Sequence, residues 1–115
     1  MTMGQSLRYV RRGVQGVVRQ NFDWDIITDR SVVHITAGEV AFGTTEATPV
    51  TPGQNSYYHL GAAPVWVSNV SPHRNEFSGQ AGGVEYLLHV DWTSPLDVAV
   101  TITVEDAVPV EIQGY

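Results

Sequence analysis

Residues 83–106 read GVEYLLHVDWTSPLDVAVTITVED, and the fold class follows from them. In the first half Val84, Tyr86, Leu88, Val90 and Trp92 alternate with Glu85, Leu87, His89 and Asp91. In the second half Val98, Val100, Ile102 and Val104 alternate with Asp97, Ala99, Thr101, Thr103 and Glu105. A period of two places successive side chains on opposite faces of an extended chain, so each half is a strand with one apolar face. The Thr93-Ser94-Pro95 turn between them is short, which predicts an antiparallel hairpin.

The same signal recurs on both sides of the stretch. FDWDIITD (residues 22–29) alternates Phe22, Trp24 and Ile26 against Asp23, Asp25 and Ile27. SVVHITAGEVAFGT (residues 31–44) gives a strand, a break near Gly38 and a second short run from Glu39 to Gly43. APVWVSNV (residues 63–70) is a further strand, and VPVEIQ (residues 108–113) reads as a last one, with Pro109 placing it at a sheet edge. Trp24, Trp66 and Trp92 are expected mainly in the core. Six or seven short strands with turn signals between them predict an all-β, mostly antiparallel domain, a β-sandwich or small jelly-roll-like barrel. At 115 residues one domain is expected, large enough to bury a core without staples. Cysteine is absent, which excludes disulfides, thiol chemistry and Cys-based zinc sites.

Charge divides the chain. Residues 1–20 carry Arg8, Arg11, Arg12 and Arg19 and no acid, a charge of +4. Residues 21–115 carry two arginines against twelve acids, a charge of −10, which together make the net −6. Leu7, Val10, Val14, Val17 and Val18 fit one face of a helix, whereas Gly13, Gly16 and the valines favour an extended arm or edge strand. The organisation expected is thus a basic N-terminal arm or helix (1–20) before a sandwich (21–115). Residues 1–20 lack the uninterrupted apolar run of a secretory leader, and no apolar run is long enough to span a bilayer. The acidic body disfavours nucleic acid, and four arginines without interleaved aromatics do not promise specific binding to it.

Chemistry narrows the candidate sites. Glu85, His89 and Asp91 share one strand face, and His89 with Asp91 has the spacing to reach one cation; a third ligand would come from His34, His59 or His73. Glu85 stands about 13 Å along the strand, too far for the same shell. The polar outer face of a sheet accounts for the same residues, and no metal or cofactor is assigned. A serine nucleophile lacks a G-x-S-x-G elbow, Asp23, Asp25 and Asp29 read as a solvated face, and Gly79-x-x-Gly82-Gly83 precedes a strand where a phosphate cradle needs a helix. No catalytic residue is therefore assigned. The most ligand-like cluster is Asn55, Tyr57, Tyr58 and His59, in the long connection 44–63.

These features predict a non-enzymatic structural or interaction module. Its layout architecturally resembles small virion or other self-assembling shell proteins, and its partner is expected to be further copies of itself, with Arg8, Arg11, Arg12 and Arg19 docking on a neighbouring subunit. The alternative is a carbohydrate- or small-ligand-binding sandwich, or one taking a protein ligand, that uses the 54–60 and 73–80 loops. A metal-dependent enzyme at His89 and Asp91 is the third reading.

Overall fold

The computed structural model describes residues 4–42, 56–74 and 82–114. Seven strands run in the order β1 (Gln5–Val14), β2 (Gly16–Asp23), β3 (Val32–Phe42), β4 (Ser56–Tyr58), β5 (Val65–His73), β6 (Gly83–Val90) and β7 (Leu96–Glu105). They form two antiparallel sheets, ordered β1-β7-β3-β4 and β2-β6-β5. The described residues contain no helix. The sandwich expected from the alternating pattern is therefore the fold.

Its organising unit is a single antiparallel ribbon bent double. β1 pairs with β7 from Gln5↔Val104 to Val14↔Leu96, and β2 pairs with β6 from Gly16↔Val90 to Asp23↔Gly83. Both chains of the ribbon change sheet at the same end. One does so at Gly13–Gly16, where Gly13 and Gly16 take φ of 68° and 76°, a left-handed backbone that a side chain disfavours. The other does so through Asp91–Pro95. The two corners are tied together: Gly13 N–H donates to Asp97 Oδ1 at 3.0 Å, and Gln15 Nε2 donates to the Trp92 carbonyl at 3.3 Å.

This corrects the expected hairpin. β6 and β7 do not pair; they sit in different sheets and face each other across the core. Side by side, their apolar faces would point the same way and need another layer as cover. Folded over, each covers the other. Val84, Tyr86, Leu88 and Val90 meet Val98, Val100, Ile102 and Val104, and all eight are buried. Each contributes roughly 1.5–3 kcal/mol of burial before chain entropy is counted.

The basic segment takes the edge-strand alternative, twice over: β1 and β2 are each the outermost strand of a sheet. Their seam is sealed by aromatic rings, with Tyr9 stacked on Phe22 at 5.3 Å and Phe22 meeting Trp24 edge-on at 6.4 Å. Four other expectations fail. The strand at 22–29 stops at Asp23; the chain then turns, Trp24 N–H bonds to the Gly82 carbonyl, and Ile27 rather than Ile26 is fully buried. A Cβ at Gly82 would lie 1.9 Å from the Ile27 carbonyl oxygen, so only glycine admits this approach. β3 continues through Gly38, because the Tyr58 ring fills the place of its missing side chain. Trp66 and Trp92 are substantially exposed, since one lies on an outer face and the other in the sheet-switching corner. Residues 108–113 are extended in sequence pattern but pair with no strand among the described residues.

Within the core the Tyr9 and Tyr86 hydroxyls hydrogen-bond to each other. Burial pushes the Tyr86 phenol well above its ordinary 10.0, and the Tyr9 hydrogen bond adds to the rise; burial likewise raises Tyr9. A folded chain that holds these protons more tightly than the unfolded one loses stability as pH climbs past about 10, and not below it. Denaturant titrations should thus give a level stability up to pH about 10 and a decline above it, with a shallower decline in Tyr86→Phe.

Candidate functional site

The two outer faces of the sandwich differ in kind. On the four-stranded sheet part of the outward face is roofed over. Arg8 donates from Nε to Thr101 Oγ1 at 2.7 Å and lays its guanidinium 5.2 Å from the Tyr58 ring centre. Arg12 lies over Phe42 at 4.5 Å. Beneath this lid Ala99 and Val40 are buried although they point away from the main core. Further along, Ser6 Oγ bonds Thr103 Oγ1 at 2.8 Å, and His34 Nε2 meets Glu105 Oε2 at 3.1 Å.

Among the described residues the three-stranded sheet has no such lid. Register places Val17, His89 and Trp66 in one row across β2, β6 and β5, and Arg19, Leu87 and Ser68 in the next. Trp66 is 44% exposed and Val17 63%. The Trp66 indole stacks on the His89 imidazole, 4.6 Å apart and within 7° of parallel, and Ser68 Oγ bonds His89 Nε2 at 2.7 Å. Arg19 reaches Glu85 Oε2 from Nε at 3.0 Å and from its terminal nitrogen at 2.5 Å. Both partners are well exposed, so the pair contributes under about 1 kcal/mol. Asn21 Oδ1 accepts from His73 Nε2 at 2.8 Å at the far end. The result is an open, largely apolar band in which Trp66 on the edge strand β5 stacks on His89 of the central strand β6, bordered by one cation and one carboxylate.

The expected ligand cluster is only partly assembled. Asn55 lies outside the described residues, as does most of the 73–80 loop. Tyr58 turns over Gly38, and with His59 and Glu39 it lines a cleft of about 300 Å³ between β3 and β5. The His59 amide donates to the Glu39 carbonyl at 2.9 Å, which pins this end of the cleft. Tyr57, one residue earlier, does not line the cleft and is exposed.

The arginines expected at an interface stand on the domain's own edge strands, with Arg8, Arg12 and Arg19 engaged by side chains of their own sheets. Arg11 is exposed, near enough to the Tyr9–Tyr86 pair to act on it electrostatically. The proposed metal residues are dispersed: His89 is held by Ser68 and Trp66, Glu85 by Arg19, His34 by Glu105 and His73 by Asn21. No group of three or more potential ligands occurs among the described residues. The Ser68–His89 contact brings a hydroxyl to an imidazole, and no acid among the described residues orients that ring as the third member of a nucleophilic triad would.

Sequence reasoning missed the Trp66 face. An outward Trp and an inward one give the same alternation when both flanking positions are apolar, as Val65 and Val67 are. Compared with known proteins, the chain matches no family model, no curated sequence and no solved structure.

If Trp66 is a surface residue resting on His89, Trp66→Ala should cost under about 1 kcal/mol. Leu88→Ala, directly across the same sheet, should cost about 2–5 kcal/mol. Paired urea titrations of the two variants measure the difference, and equal losses would return Trp66 to the core.

Proposed function

We propose that this domain is a non-enzymatic structural module that associates with further copies of itself through the outer face of β2, β6 and β5. The observation that supports it is the Val17–His89–Trp66 row, uncovered among the described residues and with Leu87 beside it, on a fold whose other outer face is partly roofed by its own arginines. A half-exposed tryptophan in an apolar band, with charge only at the rim, has the composition of an interface. The rim favours a second copy in particular. It holds both Arg19 and Glu85, so a two-fold contact can set the cation of one protomer against the carboxylate of the other. In this reading the basic N-terminal segment acts from within the sheet as its edge, and Arg19 is the arginine at the contact.

The test is the mass in solution by light scattering across concentration. A discrete oligomer is expected from the parent chain, and Val17→Asp with Trp66→Ala should reduce it to protomers that keep their strand content. A parent that is a monomer at every concentration overturns the proposal.

A second reading, a carbohydrate- or small-ligand-binding domain, is favoured by the cleft beside Tyr58 and His59, where an aromatic ring, an imidazole and the Glu39 side chain converge. It predicts glycan-array binding that Glu39→Gln and His59→Ala abolish without unfolding the domain; an array on which the parent binds nothing ends it.

A further inference from the structure

Beyond Glu105 the chain leaves the four-stranded sheet as AVPVEIQG (residues 107–114). Val108, Val110 and Ile112 recur at every second position, the pattern of a strand with one apolar face. Yet they are 53%, 74% and 68% exposed, and the segment pairs with no strand among the described residues. β-branched residues at period two suit a pleated surface with something beneath them, and the described residues supply nothing there. We propose that residues 107–113 are a donor strand that pairs antiparallel with the free edge of β1 in a second copy of this chain, an exchange that deepens the self-association proposed above and rests on it.

Charge and pattern argue for that acceptor. The donor carries Glu111 and follows Glu105 and Asp106, with no arginine or lysine from Asn75 to the end of the sequence given. The edge strand β1 carries Arg8, Arg11 and Arg12 and no acid. The alternation also fits. β1 turns Leu7 and Tyr9 inward, half-buried against the core, and Arg8 and Arg12 outward. A strand laid beside it with Val110 and Ile112 on the inward side extends the core past Leu7 and Tyr9. The same register sets Glu111 on the outward side with Arg8 or Arg12. Pro109, which lacks an N–H, is tolerated because the added strand becomes the outermost one.

Topology argues for a second copy over the chain's own β1. Val104 stands opposite Gln5, so the chain leaves β7 level with the start of β1. From there a strand on the free side of its own β1 would have to step around that strand's end and then run parallel to it. Parallel pairing is slightly weaker per residue. A strand from a neighbouring protomer meets the same edge antiparallel, and reciprocal donation closes a two-fold pair.

The deciding experiment compares the parent chain with full-length Val110→Asp/Ile112→Asp by sedimentation over a range of concentrations, with hydrogen exchange read at the β1 amides that point away from β7. The parent should associate, and those free-edge amides should become protected as concentration rises. The double variant should raise the dissociation constant at least about tenfold and release those amides. Glu111→Arg, which leaves the apolar residues in place, should weaken association most at low salt. Association of the parent that neither variant changes, with β1 exchange independent of concentration, overturns strand donation and leaves contact through the Trp66 face standing. A parent that never associates overturns both, and protection of the β1 amides that point away from β7 in a monomer at every dilution overturns donation between copies.

Discussion

Four side chains of β6 and four of β7 interlock across the middle of this sandwich, and the positions of the other strands follow from that contact. Because the two strands face each other, their hydrogen-bonding partners must lie in different sheets. β2 and β1 take those places, and the connection between them has to cross the core at the level where β6 becomes β7. Gly13 and Gly16 meet that demand with left-handed backbone, and Asp97 and the Trp92 carbonyl fasten the crossing. The ribbon therefore folds as one object. β3 adds to the free side of β7 and β5 to that of β6, and β4 extends the sheet beyond β3.

Burying the inner faces so completely leaves the outer faces to set the chemistry that other molecules meet. On the four-stranded side, β3 brings Gly38 and Phe42 beneath side chains from β1 and β4, so Arg8 and Arg12 find aromatic rings of their own chain. Their alkyl stems and planar heads cover apolar surface while the charge stays in water. On the three-stranded side nothing among the described residues reaches over. Trp66 and Val17 face solvent there, and His89, held by Ser68, serves as a rigid backing for the indole. The asymmetry follows from strand count: β4 carries the tyrosine that closes one face, and the other sheet has no fourth strand among the described residues.

How far the site could be read from sequence varies residue by residue. Tyr58 and His59 stood out as ligand-like, and the two do come together at a cleft, but the partner they find is Glu39, far away in sequence. Arg19 and Glu85 were each visible as charged strand residues. That they meet depends on β2 lying beside β6, which no local pattern encodes. Trp66 was legible as part of a strand and illegible as a surface residue, because Val65 and Val67 are as apolar as it is.

Local pattern was enough for the all-β class and the inward faces of β6 and β7, because a period of two is a local property that any buried sheet demands. Which strands pair was settled only in three dimensions. The turn at Asp91–Pro95 is short enough for a hairpin, yet it carries the chain from one sheet to the other, since two strands with equally apolar faces gain more by covering each other than by lying side by side. The same choice turned a basic N-terminal segment from an appendage into the edge of both sheets and left Trp66 bare on the opposite face. It also left Val108, Val110 and Ile112 with a strand's pattern and, among the described residues, no strand beside them.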